Sequence, residues 1–525
     1  MLRVAAVLLA SALLPGAGAG AYDIVWNTPF PLECYNYAHW SGPSPNLSKW
    51  GIAANGNGNG SMSRNSGGEL VLWDCENFGL CPYVRKGPNG TTPVNGGIPQ
   101  LAMADLDAHL AKISVDVFRG TEHWYGAVET NFSGLGILDW ESWPLAWSRF
   151  TVSGFTPAIS PQMNLSVVEV LRKRPDLSWP RDRVAVEAEA AKEWDAAAQA
   201  FVTATIRHLQ KLFPPSKLGM FGYPDCDGFP GHIANQSAGA ALGCSPKFDS
   251  IWTNDTAFLW EVSSALFPSI YIRKVGHYPG RRENLTVTND LIRSYLHNEV
   301  GEAMRVSRQA RNPPPVYPYA RYTAKQVAGA QQFLGPEALH AVLSVPADHG
   351  AAGVVLWDGS DDFETPGNCT EQAEFIEQTL GPAVSKVIAA SESCSKEHCG
   401  GDGRCVWVDD HGTRLQTPKC LTEPDAKRAR SETDDDPPVP RTVIWRGASL
   451  AARRADDTAA TKSAIRSLLQ SADAALSAGP FAVTNKTLAP PSGSTHDYWS
   501  VASYFWPCNV PCNHTLWKDC RRWCE

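Results

Sequence analysis

Two carboxylates set two positions apart are the residues of this chain best placed to do chemistry. In Gly134-Leu135-Gly136-Ile137-Leu138-Asp139-Trp140-Glu141-Ser142-Trp143, an apolar run of strand type delivers Asp139 and Glu141 into an aromatic-rich loop. Side chains at i and i+2 of a strand share a face, so both carboxyls are expected to point into the same space at the strand's C-terminal end. Apolar neighbours and mutual repulsion there can hold one of them protonated near neutral pH. A protonated carboxyl beside an ionised one is what a general acid at a glycosidic oxygen requires. In a chain with 54 acidic residues an arbitrary Asp-x-Glu is most often a pair of ordinary loop carboxylates, so the weight falls on its surroundings.

The surroundings supply a scaffold. Residues 22–385 alternate strand-like apolar runs with helical ones, which predicts an α/β fold built as a (β/α) barrel. Val184, Ala188, Ala191, Trp194, Ala198, Phe201 and Ile206 recur at three- and four-residue steps and predict a helix over 183–212. A second helix is expected over 288–310. Several apolar runs end in polar or aromatic groups, among them Leu266-Phe267-Pro268-Ser269-Ile270-Tyr271 and Gly353-Val354-Val355-Leu356-Trp357-Asp358. Strands of a (β/α) barrel meet the active-site face in this way.

The Asp139 segment resembles the catalytic strand of the animal and venom hyaluronidases, glycoside hydrolase family 56, in which a small-apolar run is followed by Asp, an aromatic, Glu, a short residue and Trp. Family-like stretches follow in order over roughly residues 22–420: Val25-Trp26-Asn27-Thr28-Pro29 with Cys34, Asn95-Gly96-Gly97-Ile98-Pro99-Gln100, Tyr223-Pro224-Asp225-Cys226, and the two runs ending at Tyr271 and Asp358. The resemblance implies a distorted TIM-like (β/α) barrel and an endo-β-N-acetylhexosaminidase acting on hyaluronan or a chondroitin-like glycosaminoglycan. Its mechanism would be retaining, with the substrate's own acetamide oxygen as nucleophile, one of the exceptions to the two-carboxylate scheme. Glu141 matches the proton donor and Asp139 the residue that orients the acetamide. Tyr271 and Trp357 match the aromatics around the reactive sugar, and Asp225, Asp358, Tyr83 and Phe221 complete the expected substrate contacts. Neither metal nor organic cofactor is expected. The resemblance also implies disulfides Cys34–Cys369 and Cys226–Cys244.

Length and composition bound the rest. The 525 residues exceed one compact core and predict a large domain with appendages. A formal charge of −8 argues against a general affinity for nucleic acid or anionic membranes. Residues 1–21, with an apolar stretch too short for a membrane span, read as a secretory signal. Fourteen cysteines fit that oxidising route, as do eleven Asn-x-Ser/Thr sequons. A secreted or luminal monomer is expected, with a lysosome- or vacuole-like compartment as the luminal alternative.

Cys75 and Cys81 are expected to pair locally, two cysteines alone making only half a zinc site. Over 386–420, Cys394, Cys399, Cys405 and Cys420 resemble a shortened EGF-like module. Residues 421–442 read as a Pro-rich acidic linker. Residues 443–525, mainly helical and ending in four cysteines, resemble the start of an alginate-lyase-like toroid.

Two positions depart from the family pattern. Phe221 stands where relatives commonly carry a Tyr whose hydroxyl supports the acetamide. Glu299 stands where they commonly carry an Arg suited to a substrate carboxylate, which predicts repulsion of a uronate. Both motivate a competing expectation, a catalytically weak glycan-binding protein that keeps the groove.

Overall fold

A computed structural model describes residues 22–28, 42, 44–55, 68–87, 90–120, 127–152, 161–225, 255–272, 274–278, 285–326, 331–358, 366–409 and 413–422. In chain order its strands are β1 (Asp23–Trp26), β2 (Ile52–Ala54), β3 (Leu70–Asp74), β4 (Tyr83–Gly87), β5 (Gly90–Val94), β6 (Leu135–Asp139) and β7 (Lys217–Met220). Then come β8 (Lys274–Tyr278), β9 (Leu285–Val287), β10 (Tyr319–Ala320), β11 (Thr323–Gln326), β12 (Gln331–Phe333), β13 (Gly353–Leu356), β14 (Gly403–Val408) and β15 (Arg414–Thr422).

Two parallel sheets carry the site. One runs β10-β13-β1-β2 and the other β3-β6-β7. Isolated bridges Phe221↔Phe267, Leu266↔Val316 and Ser269↔Tyr319 lead from the end of β7 through residues 266–269 to β10. Between β2 and β3 the link is a side chain: Asn55 Nδ2 donates to Leu70 O at 3.0 Å, and Asn55 Oδ1 accepts from the amides of Glu69 and Leu70 at 3.2 Å. The hydrogen bonds therefore do not by themselves confirm the expected distorted (β/α) barrel: among the described residues no ladder closes the circuit, and the fold is a mixed α/β arrangement of parallel strands with flanking helices.

Alternation along each strand divides the apolar residues into two cores, as period-two patterning requires. Val25, Leu70, Leu72, Leu135, Ile137, Phe267, Tyr317, Tyr319 and Val355 share one cluster. The opposite faces, including Ile24, Val71, Trp73, Leu138 and Leu356, pack with the helices in another. Gly136 is needed on that second face, because a Cβ there would lie 2.2 Å from Leu218 Cδ2 and 3.0 Å from Trp73. At the strands' N-terminal end the inner face turns polar: Lys217 Nζ donates to the Tyr317 hydroxyl at 2.8 Å, which donates to Asp23 Oδ2 at 3.2 Å.

The helix Arg183–Leu212 has the predicted bounds. Its buried stripe runs through Trp194, Ala198, Phe201 and Ile206 as expected, but its first turns bury Val186 and Ala190 instead of Val184 and Ala188. The helix Asn289–Gln309 begins after Thr288, whose hydroxyl accepts from Leu291 N at 3.2 Å as an N-cap. Among the described residues no helix is long and apolar enough to cross a membrane.

Helix Gly381–Cys399 runs unbroken across the expected domain boundary at 385/386 and carries Cys394 and Cys399 into the β14–β15 hairpin through Cys394–Cys405 and Cys399–Cys420. Arg404 Nε donates to Gly350 O at 3.0 Å and ties the hairpin to the turn before β13. Cys75–Cys81 forms the local bridge expected of it. Cys369 is disulfide-bonded. Cys34, Cys226, Cys244, the signal segment 1–21 and residues 423–525 lie outside the described residues.

Candidate functional site

The inner faces of the parallel strands converge at their C-terminal ends. On β6, Leu135 and Ile137 belong to the inner core and Asp139 follows in the same phase. Glu141 continues that phase two residues later and is exposed. The loop bearing it is pinned from the other side. Trp140 lies 6.0 Å from Phe201 and Trp143 lies 6.0 Å from Trp194, ring to ring. Trp194 Nε1 donates to Pro144 O at 3.0 Å, and Trp147 N donates to Asp195 Oδ1 at 2.6 Å. The tryptophans of the motif thus anchor the loop on the 183–212 helix instead of lining the groove.

Tyrosine hydroxyls surround the two carboxylates. Burial holds the Tyr271 hydroxyl well above the usual phenol range; the neighbouring Tyr319, Asp139 and Glu141 push it the same way and the Arg321 cation opposes them. Burial does the same for Tyr319, reinforced by Asp139 and opposed by a hydrogen bond from Asn27 Nδ2 at 3.0 Å. Tyr223 is raised by burial, with the Arg149 cation opposing and Glu141 reinforcing, and its hydroxyl accepts from Leu145 N at 3.3 Å. These phenols therefore remain protonated and are donors, held in the electrostatic reach of Asp139 and Glu141.

Trp357 stacks on Tyr271 with centroids 5.4 Å apart and planes 16° from parallel. Phe221 lies edge-on to Tyr319 at 5.0 Å and tilted against Tyr271 at 5.9 Å. The structure thus brings Asp139, Glu141, Tyr271, Trp357 and Phe221 together.

The other expected contacts are engaged differently. Asp225 pairs with Arg149, which also donates to its carbonyl at 3.4 Å. Asp358 is 0% exposed and accepts Arg321 Nε at 3.0 Å together with Arg321 Nη2. Tyr83, 3% exposed, packs in the helix-side core with its hydroxyl accepting from Arg85 at 2.6 Å. Asp358 and Tyr83 are thus enclosed, with Arg321 and Arg85 as their side-chain partners. Glu299, at 2% exposure, is buried within the Asn289–Gln309 helix and does not present its charge to the groove surface.

Sequence reasoning missed Tyr319, Asn27, Arg321 and Asp74. Tyr317, Tyr319 and Arg321 alternate on one face of Tyr317-Pro318-Tyr319-Ala320-Arg321, a pattern legible once β10 is recognised as a strand. Asp74 faces Asp139 in the β3–β6 register. Asp74-Cys75-Glu76 repeats the Asp-x-Glu pattern after an apolar run, but only its cysteine drew notice. Burial raises the Asp74 carboxyl, while hydrogen bonds from the amides of Glu76 at 2.8 Å and Asn77 at 3.0 Å oppose the rise.

The geometry couples an exposed carboxyl that can exchange a proton with solvent, a half-buried carboxylate, protonated phenols and an aromatic wall. A family model described as Hyaluronidase matches residues 14–429. Hyaluronidase-1 of Sus scrofa is 32% identical over 350 residues, which cover 66% of this chain and 72% of that one. Hyaluronidase of Loxosceles intermedia is 27% identical over 394 residues, covering 75% and 86%. The crystal structure of bee venom hyaluronidase in complex with a hyaluronic acid tetramer superposes with a TM-score of 0.56 at 26% identity, covering 70% of this chain and 99% of that chain.

Proposed function

The chain belongs to the hyaluronidase family of glycoside hydrolases, and on that premise we propose that it is an endo-β-N-acetylhexosaminidase that cleaves hyaluronan or a chondroitin-like glycosaminoglycan with retention of configuration. The observation that carries this reading is the in-phase placement of Asp139 and Glu141 at the end of β6, with the protonated Tyr271 and Tyr319 hydroxyls beside them.

In the proposed reaction Glu141 gives its proton to the leaving glycosidic oxygen as the bond to the anomeric carbon breaks. The acetamide oxygen of the same sugar closes onto that carbon, and Asp139 orients and charge-stabilises the acetamide N–H as the oxazolinium forms. Water then attacks the anomeric carbon, returns a proton to Glu141 and reopens the ring. In this reading Tyr271 donates toward the acetamide oxygen and Trp357 walls the pocket. With Glu299 enclosed, no repulsion of a uronate from that position enters the reading.

The inner core is read as the interior of a distorted (β/α) barrel, with the β14–β15 hairpin as a shortened EGF-like appendage. The disulfides suit a secreted or luminal protein.

The test is reducing-end release by the secreted protein from hyaluronan, chondroitin and chondroitin sulfate across acidic to neutral pH, with Glu141→Gln alongside. Turnover in the wild type that falls about 100-fold or more in the variant, with binding retained, is the expected result. Undiminished turnover in Glu141→Gln would remove Glu141 from the role of acid. Binding without turnover in the wild type would favour the glycan-binding reading, for which Phe221 is the motivating observation.

A further inference from the structure

The hairpin β4–β5 and the helix Pro161–Lys173 leave between them a groove that the proposed reaction does not use. Val84 stands opposite Pro93 in the hairpin's register, and Thr91 lies two residues before Pro93, so the three share one face. From the helix come Asn164, Leu165 and Val168, and with the hairpin residues they line a space of about 270 Å³. Pro93 and Leu165 converge on Gly97, where φ is 77° and a Cβ would lie 2.8 Å from Pro93 Cβ and 3.0 Å from Leu165 Cδ1. None of the lining side chains is charged. Val168, one turn beyond Asn164 on the same helix face, is 61% exposed. A space of this size lies just below the range of drug-sized pockets, and its neutral, apolar walls suit the C–H face of one sugar ring better than an ion.

The groove's own rim names its occupant. Asn164-Leu165-Ser166 is an Asn-x-Ser sequon, and Asn164 is exposed. Ser166 by contrast is 0% exposed, and its hydroxyl accepts from Gln100 Nε2 at 2.9 Å. The folded helix hides the hydroxyl that defines the sequon, so modification belongs to the chain before this helix packs, and the exposed Asn164 lets the folded protein keep the product. We propose that Asn164 carries an N-linked glycan whose first N-acetylglucosamine lies in this groove and covers Val168, tying the β4–β5 hairpin to the helix. In the transfer, Asn164 Nδ2 bonds to the anomeric carbon of a lipid-diphosphate-linked oligosaccharide. The bond from that carbon to the diphosphate oxygen breaks, the lipid diphosphate leaves with the electron pair, and the amide gives up one proton. The disulfides suit the oxidising, luminal route on which such a donor is met. The inference does not depend on the hydrolase reading.

The experiment uses the full-length protein secreted from a eukaryotic host. Its N-glycans are released by a glycan amidase in heavy-oxygen water, which marks each occupied asparagine in the peptide masses. Asn164 is expected to be marked, and an unmarked Asn164 overturns the proposal. Deuterium uptake over 83–94 and 161–173 is then compared for wild type, wild type trimmed by an endoglycosidase to the first sugar, Asn164→Gln and Val168→Ser. The last keeps the sequon and removes the apolar contact. The trimmed protein should match wild type, whereas both variants should exchange roughly threefold faster or more over the two segments. The double variant should exchange no faster than Asn164→Gln alone, because both changes remove one contact; additive acceleration means that Val168 acts without the glycan and overturns the packing. Asn89→Gln removes the sequon between β4 and β5 and should leave 161–173 at the wild-type rate. Acceleration there equal to that of Asn164→Gln assigns the groove to the other glycan and overturns the proposal. If Asn164→Gln is not secreted, the trimmed protein and Val168→Ser still decide. Faster uptake in the trimmed protein, or wild-type uptake in Val168→Ser, means a glycan directed into solvent and overturns the packing.

Discussion

Phe221, expected from the resemblance to stand in place of a tyrosine, is packed against the phenols of the site. Its ring meets Tyr319 edge-on at 5.0 Å and Tyr271 at 5.9 Å, so it holds its place by aromatic contact. A donor that strengthens in the transition state is worth on the order of 1 to 3 kcal/mol, or ten- to hundredfold in rate. Phe221→Tyr is accordingly expected to raise kcat/KM about tenfold, with kcat carrying most of the gain; a fall would mean that Tyr223 or Tyr319 already fills that role. At this scale one contiguous motif was enough to anticipate that Asp139 ends a strand. Asp139 and Glu141 needed only strand alternation. Asp358 did not yield, because its enclosure by Arg321 depends on the register between β10 and β13, which no local pattern encodes. Glu299 misled for a related reason: position in a motif does not say which side of a helix is covered.

Buried histidines couple the helices to the strand-end loops. His109, in the helix Leu106–Arg119, accepts the Leu80 amide on Nδ1 at 2.8 Å and meets the Thr205 hydroxyl from Nε2 at 3.0 Å. Thr205 donates its own proton to Phe201 O at 2.9 Å, so the histidine proton resides on Nε2 and the ring is neutral. Gly79, with φ of 61°, makes room, because a Cβ there would lie 2.6 Å from Nδ1. Burial lowers the His109 pKa from 6.5 to about 3, helped by His208 and Lys112, and lowers that of His349 from 6.5 to about 3, helped by His297 and Arg308. The unfolded chain takes up these protons first as pH falls, so the native state loses stability on acidification from about 6.5 toward about 3. Thermal midpoints are expected to drop over that interval, each histidine contributing up to about 1.4 kcal/mol per pH unit. His109→Gln should show a shallower dependence on pH despite lower stability at neutrality; an unchanged slope would mean that His109 is protonated in the native state. Helix bounds over 183–212 were legible from periodicity, but its first turns were not, since there the face is set by contact with the helix Pro161–Lys173, whose Val170 shares a cluster with Val186 and Ala190.

Across the whole molecule, the class of fold could be read from the alternation of strand and helix runs, whereas the way the strands meet could not. The two parallel sheets are joined by single bridges on one side and by Asn55 on the other. A ladder spreads thermal motion over many consecutive hydrogen bonds, so that no one bond opens alone; a carboxamide bonded to Glu69 and Leu70 is a shorter connection than a ladder. Among the described residues the Asn55 junction is therefore where local opening between the two sheets is expected first. Deuterium uptake should report it: in Asn55→Ala the amides of Glu69 and Leu70 are expected to exchange faster while those of β6 keep their protection, and uniform acceleration along β3 and β6 would instead mean that the wall opens only as one piece. A junction held by a side chain, beside a strand held on both edges by ladders, means that the bonds which keep Asp139 in register are not the bonds which join the two sheets.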